Sequence, residues 1–112
     1  MTQVHHLPPK PGRTAAVAAP RHLAAPERRL WQKITTTHRF DDAASLSLLA
    51  STLDAHQRAR RCREAIEKDG ESVRDRFNQL RAHPLLTAET HARAAFLAGM
   101  KALRLDLSGV DQ

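Results

Sequence analysis

Apolar and polar positions along the chain change rhythm several times, and three stretches carry the period of a helix. The first opens near Pro26, where Leu30 and Ile34 lie four apart with Trp31 beside them, while Arg28, Arg29 and Lys33 fall toward the other side. Such spacing predicts a short helix with one apolar face and one basic face. Proline suits its first turn, because the missing N–H would be unpaired there. Thr35, Thr36 and Thr37 are β-branched and weaken its end.

Asp41-Asp42 then reads as a break and a new N-cap, since a carboxylate accepts the free N–H groups of a first turn. The second helix is predicted from about Asp42 to Asp69, roughly 40 Å long, and Gly70 is the natural residue to end it. Leu48, Thr52, Ala55, Ala59, Cys62 and Ile66 recur at steps of four and three along it, and Leu46, Leu49 and Leu53 widen that seam near its start. Residues 71–83 alternate loosely, with Asn78 at a turn position, and predict a short β-hairpin or an ordered loop. A third helix is expected from Pro84 to about Leu105, with Ala88, Ala92, Ala95, Phe96, Gly99 and Leu103 on one stripe. The fold class is therefore all-α: a short N-terminal helix followed by a long αα-hairpin interrupted by a small hairpin or loop. Leu48, Leu49, Leu53, Cys62, Ile66, Phe96 and Leu103 are the expected core, or a seam between copies.

Residues 1–25 lack any such rhythm. They hold Pro8, Pro9, Pro11 and Pro20 and three histidines, the pattern of a flexible arm; residues 26–105 form the helical domain, and residues 106–112 a frayed tail. Because such an arm adds charge and little core, its removal is expected to leave the body folded. Charge separates the segments too. Residues 1–40 hold seven Lys/Arg against the single acid Glu27, so that the whole net charge of +6 resides there. A basic segment beside a balanced body is expected where one part meets a polyanion and the rest folds or assembles. Arginine and lysine hold phosphate by charge and hydrogen bonding, which makes Lys10, Arg13, Arg21, Arg28, Arg29 and Lys33 the candidate DNA-binding residues. Aromatic residues amount to 4%, too few for a platform that stacks single-stranded bases.

Other chemistry finds little support. Cys62 is the one cysteine and cannot form an intrachain disulfide, and it lies on the apolar seam, where a cysteine packs as a small hydrophobe. His5 and His6 sit in the arm, where ligand geometry cannot be held, and His83 and His91 are too far apart to share an ion. Glu64, Glu67 and Asp69, flanked by Arg60, Arg61, Arg63 and Lys68, read as solvated ion pairs rather than a catalytic pair. With no phosphate loop or nucleophile elbow, neither an enzyme nor a bound metal or cofactor is expected. No apolar run approaches the length of a membrane span and no signal peptide opens the chain, so a cytosolic protein is expected.

The ordered set of segments resembles the phage terminase small subunits. Those segments are Ala25-Pro26-Glu27-Arg28-Arg29-Leu30-Trp31 opening a helix, Asp41-Asp42 opening a long one, Asp75-Arg76-Phe77-Asn78-Gln79-Leu80-Arg81-Ala82-His83-Pro84 before the last, then Ala92-Arg93-Ala94-Ala95-Phe96-Leu97 and Leu103-Arg104-Leu105. Asn78 stands where the family usually has glycine, and asparagine tolerates positive φ. The resemblance implies a homo-oligomeric ring that binds double-stranded viral DNA in the bacterial host and delivers it to the large terminase subunit, tuning that partner's ATPase and nuclease. It makes His83 and Pro84 structural, and leaves Arg74, Arg76 and Arg81 open to DNA, to the large subunit or to solvent. On the residues alone, a protein-only helical adaptor and a dimeric DNA-binding regulator remain open.

Overall fold

The structure is a computed structural model that describes residues 17–105; the remainder of the expected arm, with Lys10 and Arg13, and the expected tail lie outside them. Three helices and one small antiparallel sheet follow in the order α1 (Ala25–Thr37), α2 (Ala43–Asp69), β1 (Ser72–Arg74), β2 (Leu80–Ala82) and α3 (Leu85–Ala102). The expected all-α class, with a long helix pair and a hairpin between its members, is what the chain adopts.

Local chemistry accounts for the boundaries. Asp42 caps α2, its Oδ2 accepting the Ser45 N–H at 3.1 Å, and Gly70 ends it at φ +88°, a left-handed conformation that few residues but glycine adopt. The threonine run does not break α1. Thr35 Oγ1 donates to Trp31 O at 2.8 Å and Thr36 Oγ1 to Gln32 O at 2.8 Å, so the hydroxyls bond back along the helix instead of competing with it. The end of α3 is a Schellman turn: Leu105 N–H reaches Met100 O and Arg104 N–H reaches Lys101 O, both at 3.0 Å, with Arg104 at φ +58°. It falls three residues short of the expected Leu105.

α3 returns antiparallel along α2, and α1 packs against α2 from about Leu49 to Arg60. Leu23, Trp31, Ile34, Leu49, Leu53 and Met100 form one buried cluster there, with Leu30, Leu46, Phe96, Leu103 and Leu105 packed around it. Toward the hairpin end Cys62, Ile66 and Ala92 are also buried. Leu49, Leu53, Cys62 and Ile66 thus belong to the core, and Phe96 and Leu103 to its margin. Leu48 departs from this set: it is 37% exposed, because Leu49 and Leu53 take the inward direction and leave Leu48 to the rim.

The ordered body begins earlier than the sequence pattern indicates, which shortens the expected arm of residues 1–25. Leu23 is buried, and Val17 and Ala19 pack against the core. Trp31 Nε1 donates to Val17 O at 2.7 Å, and Gln57, itself buried on α2, accepts the Ala24 N–H and donates to His22 O. An irregular strap has no period to betray it, yet its backbone groups must be bonded once buried. Removing residues 1–25 therefore strips a wall of the core.

Candidate nucleic-acid interface

The placement of every cation on α1 follows from which side faces α2. Glu27, Trp31, Ile34 and Thr35 are buried, and the opposite side carries Arg29, Gln32 and Thr36, all exposed, with Lys33 half-buried at its edge. Arg29 and Lys33 are one turn apart. Neither has a carboxylate within 4.0 Å among the described residues, and the same holds for Arg21, exposed on the strap. Arg28 stands apart from them. Its Nε donates to Leu23 O at 2.9 Å and its Nη2 to Arg21 O at 3.0 Å, so its guanidinium pins the strap to α1 and keeps its charge, since both partners are neutral.

The lone acid of the basic segment has the opposite fate. Glu27 is fully buried, and Arg60 of α2 grips both its oxygens, Nη2 to Oε1 at 2.9 Å and Nε to Oε2 at 3.0 Å. His56 Nδ1 stands 2.7 Å from Oε2, its ring edge-on to Phe96 at 5.0 Å between centroids. Burial pushes the Glu27 carboxyl up, but the hydrogen bonds from Arg60 and His56 outweigh it and hold the group below its ordinary value of 4.5. The same pairing raises the Arg60 guanidinium. A second clamp joins α2 to α3: Arg63 Nε and Nη2 grip Glu89 at 2.8 and 2.7 Å, and Arg93, one turn along α3, bonds the same carboxylate. The Arg63 bonds lower the Glu89 carboxyl against its burial, helped by Arg93.

These clamps were not legible as such. Arg60 and Arg63 were expected in solvated pairs with their own helix; Arg60 does reach Glu64 at 3.0 Å, but both arginines spend their forks on acids of other helices. A usable signal existed, since Glu27 lies on the same stripe as Trp31 and Ile34, and Glu89 on that of Ala92 and Phe96. Both clamps make the same acid-side prediction. Each carboxylate is depressed in the folded chain, so its contribution to stability is complete above 4.5 and is lost as the pH falls through the lowered folded value. Thermal melts are expected to be level from neutrality down to about pH 5 and to fall steeply below about pH 4; Glu89→Gln is expected to melt lower at neutrality and to lose part of that acid slope. An unchanged acid slope in this variant would contradict the assignment.

His83 is a joint rather than a ligand. Buried between α2 and α3, it accepts the Leu85 N–H on Nδ1 at 3.1 Å and meets Asp69 through Nε2 at 3.0 Å, which puts the proton of the neutral ring on Nε2. Among the described residues no three His, Cys, Asp or Glu side chains stand together as a metal group, and no helix is long and apolar enough to cross a membrane.

One further surface lies between α2 and α3, an open groove lined by Leu48, Ala55, Ala95, Ala98 and Ala102 and bordered by the charged pair Asp54 and Arg58. Gly99 and Thr52 also line it, packed so closely that a Cβ on Gly99 would meet the Thr52 side chain. No family model, no curated protein and no solved structure matches the chain in comparisons of its sequence and its fold.

Proposed function

We propose that the chain is a phage terminase small subunit, which binds double-stranded viral DNA in the cytoplasm of the bacterial host, assembles with copies of itself into a ring, and presents the DNA to the large, ATP-hydrolysing and DNA-cutting subunit. The observation that carries the DNA-binding part is the outer face of α1. The buried acids Glu27 and Glu89 are held by arginines, whereas Arg29 and Lys33 stand on this face with no carboxylate within 4.0 Å among the described residues, as does Arg21 on the strap. Unneutralised cations on a rigid helix suit phosphate, whose binding releases counterions and needs no base reading. Lys10 and Arg13 add to this charge from the preceding segment, and Arg28 supports it from α1 by holding the strap. The uncovered groove of small residues beside Leu48 favours packing against another copy, and the order of motifs supports the family.

The test is duplex affinity measured over a range of salt, beside the mass of the full chain by light scattering. Arg29→Ala/Lys33→Ala is expected to weaken binding on the order of tenfold and to reduce the slope of log K against log salt by about 2, close to 0.9 per phosphate contact. The change should leave the melting temperature near that of the parent, since neither side chain enters the core. A salt-resistant mass of many subunits supports the ring. A dimer with the same salt dependence would favour a free-standing regulator, and no duplex binding at any salt would favour a protein-only adaptor.

A further inference from the structure

The β1–β2 hairpin is more exposed than anything else in the body, and its make-up is not that of a plain connection. Ser72 pairs with Ala82, Val73 with Arg81 and Arg74 with Leu80, and the five-residue loop between the strands is built around one carboxylate. Asp75 Oδ1 accepts the N–H of Phe77 at 2.8 Å and of Gln79 at 3.0 Å, while its Oδ2 takes Arg81 Nε at 3.0 Å. The backbone closes the loop as well, Asp75 N–H to Gln79 O at 3.0 Å and Asn78 N–H to Asp75 O at 2.9 Å, with Asn78 at φ +60°. These bonds hold the Asp75 carboxyl below its ordinary range, the Gln79 N–H first among them. The loop is thus preorganised, and its one acid is turned inward.

What it holds outward is cationic and apolar. Phe77 is 68% exposed and Leu80 64%. The Arg76 guanidinium lies 5.0 Å from the centre of the Phe77 ring, and Arg74 Nη1 bonds Asn78 O at 2.9 Å. Neither arginine has a carboxylate within 4.0 Å among the described residues, whereas Arg81 is paired with Asp75 and Glu71 faces Arg63. A single exposed apolar side chain is ordinary; a phenyl at the tip of a bonded loop, close to two arginines without a carboxylate partner among the described residues, is suited to a partner that is anionic and offers apolar contact. Strands in such a ribbon lie about 4.8 Å apart, and the major groove of duplex DNA, about 12 Å wide, admits a two-stranded ribbon.

Resting on the duplex-binding reading above, we propose that the hairpin is a second DNA-contacting element, in which Arg74 and Arg76 bond backbone phosphates and Phe77 enters the groove between them against sugar and base edges. It divides the work in a way that α1 does not. The arginines contribute through counterion release, which salt weakens; the phenyl contributes through contact, which salt leaves alone.

Two variants of the full-length chain separate these parts, each titrated with a duplex of about 30 base pairs, roughly three helical turns. Arg74→Ala/Arg76→Ala is expected to lower affinity and to flatten the salt slope by about 2. Phe77→Ala is expected to weaken binding on the order of tenfold at every salt concentration, through lost apolar contact, with the slope of the parent chain. None of these side chains belongs to the buried cluster, so both variants should melt with the parent. Parent-like affinity and slope in both variants, with the parent chain binding duplex, would overturn the hairpin proposal alone, and would hold even if the hairpin proved to bind a protein. A parent chain that binds no duplex would remove the underlying reading and this proposal with it.

Discussion

Replacing Arg60 with alanine is expected to cost about 3–5 kcal/mol of unfolding free energy, because it leaves Glu27 charged, buried and without its fork. Glu27 is fully enclosed where α1 meets α2, and His56 alone cannot supply two opposed donors. For a domain whose whole margin is about 5–15 kcal/mol, a loss of this size brings the joint close to opening at physiological temperature. The tryptophan reports it directly. Trp31 is the single tryptophan of the chain and is 3% exposed, one turn from Glu27, so its fluorescence in urea follows the undocking of α1. Glu27→Met/Arg60→Met is expected to recover most of the loss, since a buried pair replaced whole by apolar side chains is often neutral. A loss below about 1 kcal/mol in Arg60→Ala would mean that the pair behaves as a surface bridge.

Gly99→Ala should also destabilise, against the usual direction for a glycine inside a helix. Alanine there gains about 1 kcal/mol in helix propensity. Its methyl, however, would lie 2.9 Å from Cβ and Cγ2 of Thr52 and nearer still to Oγ1, so the helices must part or Thr52 must turn. Thr52 is buried and its hydroxyl already donates to Leu48 O at 2.7 Å, which resists turning. Overpacking of this kind costs about 1–3 kcal/mol, and with the propensity gain set against it we expect a net loss of up to about 2 kcal/mol in chemical denaturation. Thr52→Ala/Gly99→Ala should recover part of it, giving a coupling between the two positions that distant sites do not show. Additive losses would show that the close approach is relieved elsewhere.

The elements were legible where a local rule acts alone. Asp42 and Gly70 fix the ends of α2 through caps that involve only neighbouring backbone, and the amphipathic spacing of α1 separates Trp31 and Ile34 from Arg29 and Lys33 without reference to the rest of the chain. Asn78 likewise reads as a turn residue from its own tolerance of positive φ, and adopts φ +60°. What could not be read depends on partners far along the chain. Glu27 and Arg60 are 33 residues apart, and Glu89 and Arg63 are 26 apart; a charged residue on an apolar stripe gives half of each pair, and the other half is chosen by how helices cross. The strap from Val17 to Ala24 was hidden for another reason, since irregular backbone leaves no period. Of the candidate interface, the free cations were anticipated from charge alone, but the engagement of Arg28 with Leu23 O and Arg21 O was not.

The clamp between Arg60 and Glu27 bears on geometry as well as energy. Greasy helices can slide or roll against one another at little cost, whereas a planar fork on a planar carboxylate admits one depth and one rotation. The bearing of Arg29 and Lys33 about the axis of α1 is set in this way, from the far side of the same helix. Any assembly built from copies of the chain inherits that bearing, so its positive charge would repeat at a constant angle and spacing, like teeth cut by one tool.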